Sequence, residues 1–123
     1  MKVFIADDSA VVRERLIEML SELPEIEIIG QAEDGLETIN SIPKLKPDVV
    51  ILDIHMPGGN GIEVLRNIKK NEPVPLVIIL TNYSYPQYRK KCMDLGADYF
   101  FDKSTEFEKV TEVCQQLIQD FQS

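Results

Sequence analysis

Short apolar runs and segments of helical spacing alternate five times along this chain, and few folds satisfy that alternation. The runs cover residues 3–6, 27–32, 49–54, 76–81 and 99–102. Each has strand length and is rich in β-branched and aromatic residues. The first intervening segment carries Val12, Leu16, Met19, Leu20 and Leu23. The third carries Ile62, Val64, Leu65 and Ile68, and the last carries Phe107, Val110, Cys114, Leu117, Ile118 and Phe121. Steps of three and four place such residues on one side of a helix. Strands joined through helices form right-handed crossovers, so the pattern predicts a parallel sheet with helices on both faces.

Helix starts are marked by capping-box spacing, with an oxygen-bearing side chain three residues before Glu or Gln. Asp34 precedes Glu37, Asn60 precedes Glu63, Ser84 precedes Gln87 and Thr105 precedes Glu108. Pro86 falls in a first turn, where a missing amide costs little. Pro43, Pro47, Pro73 and Pro75 are expected to punctuate the loops before the third and fourth strands.

Strand composition implies an order. Residues 49–52 and 76–80 are uninterrupted apolar runs, as in strands covered on both faces. Glu25-Ile26-Glu27-Ile28 alternates, and Asp98 and Asp102 bracket the fifth strand, which suits two edges. The order 2-1-3-4-5 fits. It is the flavodoxin-like, doubly wound α/β arrangement of five strands and five helices, whose ligand site lies at the carboxyl ends of strands one and three.

Those ends carry acids. Asp7 and Asp8 follow the first run, and Asp53 follows Leu52. Thr81 closes the fourth strand and Lys103 follows the fifth. At an effective dielectric near 20, two unit charges about 4 Å apart repel by about 4 kcal/mol, so gathered acids need a cation. Hard oxygens suit Mg²⁺. A carboxylate can attack phosphorus to form an acyl phosphate, and a hydroxyl and an ammonium can hold the phosphoryl oxygens. Each residue alone has a plainer reading: Asp7 and Asp8 as caps of the first helix, Asp53 as an ordinary turn before Pro57-Gly58-Gly59, Thr81 as a strand end, Lys103 as a surface lysine. Those readings do not explain why all five collect at one edge.

Composition narrows the rest. A net charge of −8 offers no basic stripe for nucleic acid, and the short stretches Lys69-Lys70 and Arg89-Lys90-Lys91 read as solvated faces or as part of a protein-docking rim. No apolar run approaches the roughly 20 residues of a membrane span. Met1-Lys2 leads directly into a strand, without the pattern of a signal peptide, so the expected location is cytoplasmic. Cys92 and Cys114 have no metal spacing and read as reduced core or half-core residues.

The chain resembles the receiver domain of two-component response regulators over essentially its whole length, residues 1–123. The resemblance rests on Ile5-Ala6-Asp7-Asp8-Ser9, Leu52-Asp53-Ile54-His55-Met56-Pro57, Gly61-Ile62-Glu63-Val64-Leu65, Leu80-Thr81 and Gly96-Ala97-Asp98 leading to Lys103. It implies phosphorylation of Asp53 by a sensor histidine kinase or phosphotransfer protein. It implies Mg²⁺ held by Asp8, Asp53 and the backbone carbonyl of His55, with Asp7 acting through water. Thr81 and Lys103 are implied to bind the phosphoryl oxygens. The output is implied to be a surface of helix four, strand five and helix five, with Tyr85, Tyr88, Arg89, Lys90 and Phe100 on it, that engages a downstream protein. The predicted fifth helix runs to the last residues, leaving no room within 123 residues for an output domain.

Four positions depart from the family pattern. Ser104 stands where a proline commonly follows the lysine, so the Lys103–Ser104 bond is expected to be trans or held by tight packing, since a cis bond there costs about 2.5–4 kcal/mol. Asn82 replaces a small residue and is expected to narrow access for small phosphodonors. Gly59 is expected to loosen its loop, and Phe100 stands at a switch position often held by tyrosine. The competing readings are a receiver-like docking module that never needs phosphate, and a Mg²⁺-dependent aspartyl phosphatase. The phosphatase is disfavoured by the adjacency of Asp7 and Asp8 and the lack of a substrate-capping insertion.

Overall fold

A computed structural model describes residues 1–58 and 61–122. The elements run β1 (Lys2–Ala6), α1 (Ala10–Leu20), β2 (Glu27–Ala32), α2 (Gly35–Leu45), β3 (Val49–Leu52), α3 (Gly61–Lys70), β4 (Leu76–Thr81), α4 (Pro86–Asp94), β5 (Tyr99–Asp102) and α5 (Lys109–Gln122). The five strands form one parallel sheet in the order β2-β1-β3-β4-β5, as the sequence predicts.

Alternation along each strand divides the core into two layers. Val3, Ile5, Val49, Ile51, Ile78 and Leu80 pack with Leu16 and Leu20 of α1 and Val110, Cys114 and Leu117 of α5. Phe4, Ala6, Val50, Leu52, Val77 and Ile79 face the other way, against Ile42 of α2, Val64, Leu65 and Ile68 of α3 and Cys92 of α4. Residues of both sets are almost wholly buried, each aliphatic side chain contributing about 1.5–3 kcal/mol. This double cover explains why β3 and β4 read as unbroken apolar runs.

Local signals meet mixed fates. Ser9 caps α1, its hydroxyl accepting the Val12 N–H at 3.3 Å, and Asp34 caps α2, accepting the Glu37 N–H at 2.8 Å. Ser84 does not cap α4: Tyr85 is the N-cap, Pro86 opens the helix, and the Ser84 hydroxyl donates to Asp102 Oδ2. Thr105 does not cap α5, which starts four residues later, at Lys109. Its neighbour Glu106 instead accepts the Asp102 N–H at 3.0 Å. Both expected caps thus lose to the Asp102 corner, which closes the β5–α5 turn by accepting the Ser104 and Thr105 N–H groups at 2.7 and 3.1 Å. β3 ends at Leu52, two residues short of the expected 54. Pro43 is not in a loop; it lies exposed in the last turn of α2, whose end is closed by Lys46 in the left-handed region at φ 50°. Gly59 and Asn60 lie outside the described residues, and with them the cap expected of Asn60 and the loosened loop.

Candidate functional site

The sheet builds the site by register. Ala6 of β1 pairs with Leu52 of β3, so the next residues, Asp7 and Asp53, leave the sheet side by side. Each stays on the ladder by its amide: Asp7 N–H donates to Ala32 O and Asp53 N–H to Ala6 O, both at 3.0 Å. Across the sheet Thr81 pairs with Asp102, and Lys103 N–H donates to Thr81 O at 2.9 Å. All five sequence-predicted side chains therefore emerge at one sheet edge.

Lys103 Nζ lies 2.8 Å from Asp7 Oδ2 and 2.9 Å from Asp53 Oδ2. The remaining oxygens accept backbone donors. Asp7 Oδ1 takes the Ser9 N–H at 2.9 Å, and Asp53 Oδ1 takes the His55 N–H at 3.1 Å. Both carboxylates are thus bonded on both oxygens, which burial demands, since their side chains are only 3% and 7% exposed. Asp8 is exposed, yet one of its oxygens lies within 4.8 Å of oxygens of Asp7 and Asp53.

Burial pushes the Asp7 carboxyl above the usual carboxylate range, against the bonds from Lys103 and Ser9. Burial also works against the Lys103 ammonium, but hydrogen bonds and charge from Asp7 and Asp53 outweigh it and hold the lysine above its ordinary value. The two shifts differ because one ammonium gains from two carboxylates, whereas Asp7 shares that ammonium and faces the charge of Asp53. Three carboxylates against one ammonium leave two negative charges, the charge of one divalent cation. The donors are hard oxygens with one acid open to solvent. That set fits Mg²⁺, which keeps several waters and takes few carboxylates.

The hydroxyl at this edge belongs to Thr81, which is fully buried; its Oγ1 accepts the Tyr83 N–H at 3.0 Å. The His55 ring is exposed and lies on Tyr83 at 4.4 Å between centroids. Gly61 supports the loop after Asp53 from below: its N–H donates to Ile54 O at 2.9 Å, and a Cβ on it would fall 2.4 Å from Asp53 O. Two neighbours were not foreseen. Arg13 Nη1 donates to Asp7 O at 2.7 Å, and Tyr83 bridges Thr81 to His55. A shared offset signals the second: His55 stands two residues after Asp53, and Tyr83 two after Thr81.

The departures from pattern resolve in part. The Lys103–Ser104 bond is trans; the cis bond among the described residues is Glu72–Pro73. Asn82 is exposed, and its Oδ1 accepts the Ser104 hydroxyl at 3.4 Å. Phe100 is not on the surface; it is 3% exposed, with the Arg89 guanidinium 5.6 Å from its ring centroid and Arg89 Nη1 donating to its carbonyl at 3.2 Å. The β4–β5 pairing directs it into the layer of Leu52 and Ile79 rather than outward. Tyr85, Tyr88, Arg89 and Lys90 are exposed as expected. No helix among the described residues is long and apolar enough to cross a membrane.

Comparison with known proteins agrees with this geometry. The family described as response regulator receiver domain matches residues 3–115. A protein-glutamate methylesterase/protein-glutamine glutaminase of Carboxydothermus hydrogenoformans is 39% identical over 119 residues, 95% of this chain but 35% of that protein. One from Hydrogenovibrio crunogenus is 38% identical, over 95% of this chain and 33% of its own length. The chain thus spans about a third of the length of these relatives. The response regulator domain of Thermotoga maritima CheB superimposes with a TM-score of 0.85 at 33% identity, covering 97% of this chain and 94% of that one. The receiver domain of NarL from Mycobacterium tuberculosis gives 0.83 at 28% identity, covering 94% of this chain and 95% of that one. With its acids, hydroxyl and lysine at the expected sheet edge, the chain belongs to the response regulator receiver domain family, the phosphoaccepting modules of two-component signalling.

Proposed function

We propose that Asp53 is the phosphoacceptor and that residues 1–123 act as one receiver domain. The single observation that carries this is the Lys103 ammonium spanning Asp7 and Asp53 at a buried sheet edge beside an exposed third acid. An Asp53 carboxylate oxygen attacks the phosphorus of a phosphohistidine on a sensor kinase or phosphotransfer protein. The O–P bond forms as the N–P bond breaks, and the electron pair of that bond returns to the imidazole. Asp8, Asp53 and the His55 carbonyl would hold Mg²⁺, with Asp7 reaching it through water. When bound, the ion supplies positive charge to the phosphoryl oxygens.

The chain's own groups do the rest. Lys103, already at 2.9 Å from Asp53, pairs with one phosphoryl oxygen. Thr81 turns its hydroxyl to another. The movement reaches the surface of α4, β5 and α5 through Phe100 and Arg89, and that surface engages a downstream protein. The domain catalyses only its own phosphorylation and dephosphorylation. It works in the cytoplasm and does not itself contact nucleic acid, in keeping with a net charge of −8.

Intact-mass measurement with a phosphohistidine donor and Mg²⁺ tests the assignment. The wild-type chain is expected to gain one phosphoryl group and Asp53→Asn none. Persistent labelling of the Asn variant would overturn it.

A further inference from the structure

We propose that a pocket lined by Ile54, His55, Ile62, Tyr83 and Tyr88 receives an uncharged, apolar side chain of the protein phosphodonor, which makes Tyr83 and Tyr88 specificity-determining residues for phosphotransfer. The proposal rests on Asp53 as acceptor. The pocket has a volume of about 190 Å³ and opens to solvent. Its position is the first argument. Ile54 and His55 follow Asp53 directly, and Tyr83 is two residues beyond Thr81. A protein that brings a phosphohistidine to Asp53 covers this rim, so the pocket is continuous with an interface the family's reaction requires.

Its chemistry is the second argument. The lining is two isoleucines and three rings, and it includes no Asp, Glu, Lys or Arg, in a chain that carries 13 Lys and Arg and 21 Asp and Glu. The rings are joined. His55 stacks on Tyr83 at 4.4 Å, Tyr83 meets Tyr88 edge-on at 6.5 Å, and Tyr88 meets Tyr85 at 6.0 Å. Tyr83, Tyr85 and Tyr88 are 38%, 58% and 36% exposed, aromatic area left open among the described residues. A rigid ring with a polar tip gains much from burial at little entropic cost.

The hollow on the opposite rim differs in chemistry. The hollow there is lined by Arg13, Gln31, Ala32, Glu33 and Glu37, a charged surface that would desolvate poorly under an apolar side chain. The ring pocket is also in register with the chemistry. The His55 N–H is bonded to Asp53 Oδ1, and the Tyr83 N–H to Thr81 Oγ1. A side chain seated between these rings is therefore placed at a fixed distance from the acceptor, and so is the histidine of the protein that carries it.

The test uses the full chain, Mg²⁺ and the autophosphorylated kinase module of a sensor kinase selected because it labels the wild-type chain. Tyr83→Ala and Tyr88→Ala are each expected to lower the second-order transfer rate about tenfold or more, and Tyr83→Phe and Tyr88→Phe to restore most of it. A second readout, the melting shift on adding Mg²⁺ with beryllofluoride as a small phosphoryl mimic, is expected to persist in all four variants. Alanine variants that keep transfer within about twofold of wild type would overturn the proposal, because docking changes among related complexes exceed that. So would loss of transfer together with loss of the melting shift, which would place the rings in the acid site rather than in donor docking. Labelling of Asp53→Asn by the same module would instead remove the acceptor assignment beneath it.

Discussion

Lys103→Met removes the ammonium that bridges Asp7 and Asp53 and keeps most of the apolar stem. Three carboxylate oxygens, from Asp7, Asp8 and Asp53, then lie within 4.8 Å of one another with no such bridge. At an effective dielectric near 20, two charges about 5 Å apart repel by about 3 kcal/mol. Breaking a buried pair from one side costs about 3–5 kcal/mol, which agrees. For 123 residues the unfolding entropy is about 0.26 kcal/mol/K, so about 3 kcal/mol lowers the melting temperature by about 12 °C. The assay is thermal melting in EDTA, followed by Mg²⁺ titration. The variant holds three negative charges where the wild type holds a net two, so Mg²⁺ should restore more stability to the variant than it adds to the wild type. Adding Asp7→Asn removes one of the repelling charges, and the double variant should melt above Lys103→Met alone. A Lys103→Met protein that melts within about 2 °C of wild type in EDTA would refute the reasoning, as would an Asp7→Asn change that deepens the loss.

Other outcomes follow from the same geometry. In the wild type, Mg²⁺ at about 100 times its dissociation constant should add about 2.7 kcal/mol, read as a rise in melting temperature that EDTA reverses. Gly61→Ala would force a Cβ to 2.3 Å from Ile54 Cα, so the urea midpoint should fall by the equivalent of about 2–3 kcal/mol and labelling at Asp53 should slow. Burial pushes both Cys92 and Cys114 up to about 11, so at pH 8 only about 0.1% of either is thiolate, and a thiol reagent should modify them only after unfolding. The sign for stability is set by the same shift: both thiols stay protonated in either state below pH 9, and between 9 and 11 the unfolded chain loses its protons first. Their contribution is therefore lost as pH rises through that window, and a Cys92→Ala, Cys114→Ala pair should flatten the fall in urea midpoint there.

The architecture was legible because its causes are local and repeated. Unbroken apolar stretches at Val49–Leu52 report two covered faces without any knowledge of partners, and the acids stand where strands stop. What escaped depends on competition between distant groups. Ser84 has the right spacing to cap a helix, yet Asp102, eighteen residues on, takes its hydroxyl. Thr105 has the spacing too, but the Asp102 corner delays α5 until Lys109. Arg13 escaped because its partner is a backbone carbonyl, which no residue type advertises. Phe100 was placed on the output surface by the family resemblance alone; the β4–β5 register shows that it points inward.

Arg89 gives that inward residue an external handle. Its guanidinium both covers the Phe100 ring and grips the Phe100 carbonyl, while its own helix begins just after the loop that leaves Thr81. A rotation of the ring would take away the face on which that cation rests and leave the carbonyl bond alone to hold it. The outside world would then sense a hidden torsion as the relocation of one positive charge, a signal that an acidic partner reads at a distance and that salt would mute.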